Sequence, residues 1–131
     1  MAACEAIPED ARLWRRVSPI SQAPSVDDPS DVVVRGDAFR ARPSEDGTSV
    51  DLAAVHEAAN RSAIALLDGM DDTWGVAEIT MKHCRDLECH VVKTSGDPND
   101  AHAEVIPRPN KRVSRELSLA ATWAVKPRWP R

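Results

Sequence analysis

The pattern that most restricts this chain is a change of hydrophobic period in its last third. His102, Ala103, Glu104 and Val105 alternate polar with apolar, the two-residue period of a strand with one covered face. Beyond Pro107 and Pro109, residues Val113, Leu117, Ala120, Ala121 and Ala124 recur at helical spacing. A strand over 101–106, a proline turn and an amphipathic helix over 111–125 therefore follow one another directly. Both element types in one short chain point to an α+β domain.

The remainder of the sequence fits that class. Val32, Val33 and Val34 form a β-branched nucleus for a strand over 32–39. Leu13, Trp14 and Val17 suit either a first strand or a single helical turn. The stretch 18–30, with three prolines and four serines, reads as a long loop. Leu52, Val55, Ala59, Ala63 and Leu66 share a stripe, which predicts a helix over 51–67 with Asp51 as N-cap and Gly69 as its stop. Alternation over 74–82 predicts a half-buried strand, and 89–93 a shorter one. The expected architecture is a small, mainly antiparallel sheet with two helices packed on one face through Ala-rich stripes. At 131 residues a single domain over 11–125 buries enough surface to fold without metal or disulfide. A flexible lead (1–10) and a basic tail (126–131) are expected at its ends. Four tryptophans and one phenylalanine, with no tyrosine, make the tryptophans the main aromatic payload. Trp74 and Trp123 are expected in or beside the core, Trp129 in solvent.

Charge is unevenly distributed. The chain carries net charge −4, which argues against nucleic-acid binding by the surface as a whole. From residue 108 onward, however, there are seven basic residues (Arg108, Lys111, Arg112, Arg115, Lys126, Arg128, Arg131) and one acid, Glu116. The residues before them carry ten basic and twenty acidic groups. Arg108, Lys111, Arg112 and Arg115 cluster where the last helix begins, a position at which free N–H groups already attract anions. Cations there oppose the helix dipole, so an anion is expected to compensate. The acidic remainder of the same chain is the first candidate for that role, and an acidic protein surface or a phosphate-bearing partner the second. No run approaches a membrane span and residues 1–8 do not form a signal peptide, so a cytoplasmic location is expected.

Two constellations bear on chemistry. His83, Cys84, Cys89 and His90 offer four ligating side chains in eight residues. If 80–93 is a hairpin, the cysteines and histidines point to opposite faces and cannot close one tetrahedral site. No metal and no cofactor is expected. His102 and Glu104 share a strand face and are the candidate general-base pair, although no serine occupies a nucleophile setting. Asp68, Asp71 and Asp72 lack the ligand spacing of a calcium loop, and Arg35-Gly36-Asp37 reads as a bend.

Leu13-Trp14-Arg15-Arg16-Val17, Ala38-Phe39-Arg40, Asp46 to Asp51, His102-Ala103-Glu104-Val105, and then Lys111, Val113, Leu117, Ala121 and Trp123 give the chain a resemblance. It resembles a family of small bacterial proteins, mostly of high-GC genomes, with no assigned activity. The resemblance implies that the 46–51 turn and the His102–Glu104 strand belong to one pattern, and it carries over no catalytic role. In that turn Gly47 permits a positive φ.

Two function classes follow. The first is a non-catalytic accessory module that contacts an acidic protein surface through Arg108, Lys111, Arg112 and Arg115, with nucleic acid ranked lower and a membrane excluded. The second is a small enzyme acting on a nucleotide or other phosphate-bearing substrate. In it Arg15, Arg40 or Arg108 would hold the anion, and His102 with Glu104 would move a proton. The first is preferred, because the catalytic set is incomplete.

Overall fold

The computed structural model describes residues 7–94 and 100–130. Its centre is a six-stranded antiparallel sheet. Three helices, α1 (Ala53–Ala58), α2 (Met81–Asp86) and α3 (Lys111–Ala120), accompany it, so the domain is α+β as expected. The sheet strands are β1 (Arg12–Val17), β4 (Thr48–Leu52), β5 (Gly75–Thr80), β6 (His90–Lys93), β7 (His102–Ile106) and β8 (Thr122–Val125), in the order β6-β7-β4-β1-β5-β8. A separate two-stranded ribbon pairs β2 (Gln22–Pro24) with β3 (Val32–Val34).

Strand alternation divides the core in two. Leu13, Val17, Val50, Leu52, Ala77, Ile79, Ala103 and Val105 point to one face, where Phe39, Cys84 of α2 and Val113 and Leu117 of α3 pack on them. Thus α2 and α3 share one face, whereas Ala53, Ala63 and Leu67 of the segment 51–67 cover the other, so the two helices expected on a single face do not pack together there. Trp14 and Val76 point to the other, under Ala53, Ala63 and Leu67. Burying a Leu- or Phe-sized side chain contributes roughly 1.5–3 kcal/mol, so the first face, with most of the large apolar groups, dominates stability.

Several elements differ from the sequence expectation, each for a physical reason. The 51–67 helix does not form as one piece. Thr48, Val50 and Leu52 alternate inward as β4, so Asp51 lies in a strand and the N-cap position of α1 falls to Leu52. Helix α1 is a short run whose end is turned by Asn60 at φ 60°. A 3-10 turn over Ala63–Leu67 follows, and Gly69 at φ 82° stops it. The 80–93 hairpin is absent. Thr80 and His83 instead build a capping box: the Thr80 hydroxyl accepts from His83 N at 3.3 Å, and His83 Nδ1 accepts from Thr80 N at 3.0 Å. Helix α2 then carries the chain across the sheet from β5 to the far edge, at β6.

Its end is a Schellman turn. Cys89 N donates to Cys84 O and Glu88 N to Arg85 O, both at 2.9 Å, around Glu88 at φ 62°. Cys84 and Cys89 are the apolar pair of that motif, and both are buried.

The last helix stops at Ala120. Thr122, Trp123 and Val125 prefer extended backbone, and the open edge of β5 supplies hydrogen-bond partners. The residues after β8 are anchored rather than loose: Lys126 pairs with Asp31 at 2.6 Å, and Arg128 Nε with Asp72 at 2.7 Å. Trp14 is the most buried tryptophan, at 3 % exposure. Trp129 is half-buried and donates to Pro29 O at 3.4 Å. Gly47 has no positive φ. It is required for close approach, since a Cβ there would lie 2.6 Å from Val105 O. Residues 1–6 of the expected lead, with Cys4, and also Ser95 and Arg131, lie outside the described residues.

Candidate functional site

The central strands part early. β1 pairs with β5 over six residues but with β4 only at Leu13↔Leu52 and Trp14↔Asp51. Beyond Trp14 the sheet opens, and the Arg15 guanidinium enters the gap. Its Nε donates to Ala38 O at 2.6 Å and its Nη1 to Ser49 O at 2.6 Å, with Nη2 at 3.5 Å from Arg40 O. Arg108 braces the same loop from outside, donating to Glu45 O at 3.1 Å and Arg42 O at 2.6 Å. Helix α3 holds the segment before it. Ser114 Oγ donates to Gly36 O at 2.9 Å and accepts from Phe39 N at 3.1 Å, and Ser118 Oγ donates to Arg35 O at 2.8 Å. These bonds explain why serines occupy the buried stripe of α3. They fix residues 35–45 as a wall.

That wall and the parted strands enclose a cleft of about 840 Å³. Because it opens where β1 and β4 separate, side chains of both sheet faces reach it: Trp14, Arg16 and Asp51 from one, Arg15 and Val50 from the other. One wall is cationic, with Arg15, Arg16 and Arg42 beside a single acid, Glu45. Burial lowers the Arg15 pKa to about 10; Glu45 counteracts this, while Arg42 and Arg16 push it further down. Arg15 therefore stays charged at neutral pH; its hydrogen bonds are to carbonyl oxygens, and Glu45 offsets its charge in part. Arg16 and Arg42 are exposed, and among the described residues neither has a carboxylate within ion-pair distance.

The opposite wall, formed by the 3-10 turn and the residues after it, presents Leu66, Met70 and Trp74 with Asp68. Between the two lies a polar relay. His56 Nε2 donates to Asp51 Oδ2 at 2.7 Å, and His56 Nδ1 accepts from Arg61 Nε at 2.9 Å. Arg61 Nη2 in turn meets Asp100 Oδ1 at 2.8 Å. The donor from Arg61 fixes Nδ1 as the acceptor, so the ring proton sits on Nε2. Trp14 stacks on the same ring, with centroids 5.9 Å apart and planes 17° apart. Both nitrogens of His56 are therefore occupied, and the residue holds the floor rigid.

The structure separates the residues named from sequence. His102 lines the cleft beside the register position of Asp51. Its Nδ1 is hydrogen-bonded to the Thr94 hydroxyl, not to Glu104. Glu104 shares the strand face but does not line the cleft, so the two are not brought together as an acid–base pair. Of the three arginines named for an anion, Arg15 lines the cleft, whereas Arg40 and Arg108 do not. Lys111, Arg112 and Arg115 are exposed on α3. Among the described residues no acid lies within ion-pair distance of these three. Asn110 caps α3 by accepting from Val113 N at 2.8 Å. His83 is used in the capping box, and no group of three or more His, Cys, Asp or Glu side chains among the described residues is placed to hold a metal ion. No described helix is long and apolar enough to cross a membrane.

Sequence reasoning missed His56, Arg61, Arg42, Arg16 and Trp74 as site residues. Asp51 and His56, five residues apart across a strand-to-helix junction, were the one local signal, and reading Asp51 as a cap concealed it. No family model, curated protein or solved structure matches the chain.

Proposed function

We propose that the cleft binds a small phosphate-bearing ligand whose anion sits between Arg16 and Arg42. The observation that carries this is the pair of exposed guanidinium groups without a carboxylate partner among the described residues, bordering a preformed cleft beside Arg15. On that wall Arg15, Arg16 and Arg42 stand beside one acid, Glu45, while Arg61, Asp51, Asp68 and Asp100 line the rest of the cleft; the positive excess is confined to the arginine wall, and a phosphate accepting from two guanidinium groups there relieves it. The topology supports the same reading, because Trp14, Arg15, Arg16, Ser49, Asp51 and His102 come from three distant stretches and line this one cleft. Binding is favoured over proton transfer by His102 and Glu104, since Glu104 lies outside the cleft. Calorimetric titration with inorganic phosphate and pyrophosphate tests the proposal. Arg16→Gln and Arg42→Gln should each weaken binding about tenfold or more, the worth of one charge-assisted contact. Affinity unchanged in both variants overturns it.

A second reading rests on α3. Lys111, Arg112 and Arg115 are exposed without an acid partner among the described residues, which favours an external acidic protein surface as their counterpart. Replacing the three with Gln should abolish association with such a partner in a pull-down and leave the thermal midpoint nearly unchanged. Association that survives the replacement removes this reading.

A further inference from the structure

Resting on the anion site proposed above, we infer that the ligand is a nucleoside monophosphate, its phosphate on the arginine wall and its base against Trp74. The two walls differ in chemistry. The arginine wall suits a compact anion. The facing wall offers the half-buried Trp74 ring, the Met70 thioether and Leu66, flat and polarisable surfaces that suit a planar heterocycle. The surfaces between them are polar: Ser18, Ser21 and Ser49 line the cleft alongside His102, and they match sugar hydroxyls better than an alkyl chain.

Asp68 sharpens the assignment. Its carboxylate stands on the aromatic wall, where it accepts from an exocyclic amine or a ribose hydroxyl and repels a second anion. A ligand charged at both ends, such as a bisphosphate, is therefore disfavoured. Size agrees, because about 840 Å³ lies within the roughly 300–1,000 Å³ usual for small-molecule sites. The relay Asp51–His56–Arg61–Asp100 fixes the floor, so the walls keep their separation without the ligand.

The test compares adenosine and guanosine monophosphates with ribose 5-phosphate and inorganic phosphate on the intact protein. Calorimetry gives the affinity. Tryptophan fluorescence reports the base, since Trp14 and Trp74 both line the cleft. At least one nucleotide should bind at least tenfold more tightly than ribose 5-phosphate and quench the emission. Trp74→Ala should bring the two within about threefold and leave inorganic phosphate binding as it was. Met70→Ser, a milder change on the same wall, should lower nucleotide affinity at least threefold. Equal affinity for nucleotides and ribose 5-phosphate overturns the base assignment while the anion site stands, and so does a nucleotide advantage that survives both variants. If none of the four compounds binds, the anion site falls as well.

Discussion

Removing the Arg15 guanidinium should be among the costliest single changes in this protein. Arg15 lies in the gap between β1 and β4 and donates to Ala38 O and Ser49 O at 2.6 Å each. A hydrogen bond from a charged donor contributes about 1.5–3 kcal/mol, and a buried carbonyl left without a donor costs a further 1–3 kcal/mol. Ala38 is buried, at 6 % exposure, so its carbonyl has little recourse to water. Against this, burying the cation is itself unfavourable, as its lowered pKa shows. The net loss for Arg15→Ala is about 3–5 kcal/mol. Urea denaturation followed by tryptophan fluorescence measures it directly, and for a chain of this length the thermal midpoint should fall by about 10–20 °C. Arg108 braces the same loop from the surface, so Arg108→Ala should cost only about 1 kcal/mol. Arg15→Lys should fall between, because an ammonium does not span carbonyls held by a planar fork. A loss below about 1 kcal/mol for Arg15→Ala, or one no larger than for Arg108→Ala, would refute the view that this guanidinium holds the cleft wall.

Other consequences are equally accessible. Gly47→Ala places a methyl 2.6 Å from Val105 O and should cost about 2–3 kcal/mol in urea denaturation, by overpacking of β4 against β7. Glu88→Gly should instead stabilise by about 0.5 kcal/mol, since Glu88 holds φ 62° at the end of α2; a loss of stability would contradict the turn. The Cys84 thiol, pushed up to about 12 by burial and then by Cys89, should resist iodoacetamide at pH 8 in the native protein, as read by peptide mass spectrometry. The unfolded thiol ionises near its ordinary value of 9.0. The unfolded state therefore sheds this proton first, and the contribution of Cys84 to stability should be full below pH 9 and decline as pH rises toward 12. Long-range ¹H–¹⁵N spectra should show His56 protonated on Nε2, where Asp51 accepts, and a proton on Nδ1 instead would contradict the bond from Arg61.

What the sequence disclosed was local and periodic. The alternation at 102–105 and 74–82, and the helical spacing of Val113 and Leu117, were readable because each element buries a single face. Elements set by long-range pairing were not. Thr122–Val125 follows a run of helix formers without a break, and pairing with the edge of β5 turns its weak extended preference into a strand. Thr80–Asp86 lacks the apolar stripe that identifies a helix, and its capping box depends on a histidine in the role usual for Glu or Gln. The cleft was hidden for the same reason. It arises from a break in pairing between two strands more than thirty residues apart, which joins Arg16, Arg42, His56 and Trp74 without any spacing a motif would record. Of the residues named beforehand for anion binding or proton transfer, His102 and Arg15 line it, and Arg15 does so as a brace.

The site itself is tested most directly by mapping inorganic phosphate onto the protein by ¹H–¹⁵N chemical shifts, with arginine Nε–H groups observed alongside the backbone amides. Shift changes should concentrate at Arg16 and Arg42, with smaller ones at Ser49 and His102, and should saturate with a single affinity. Shifts confined to Lys111, Arg112 and Arg115 on α3, or no saturable shifts at all, would contradict the assignment of the cleft as the anion site.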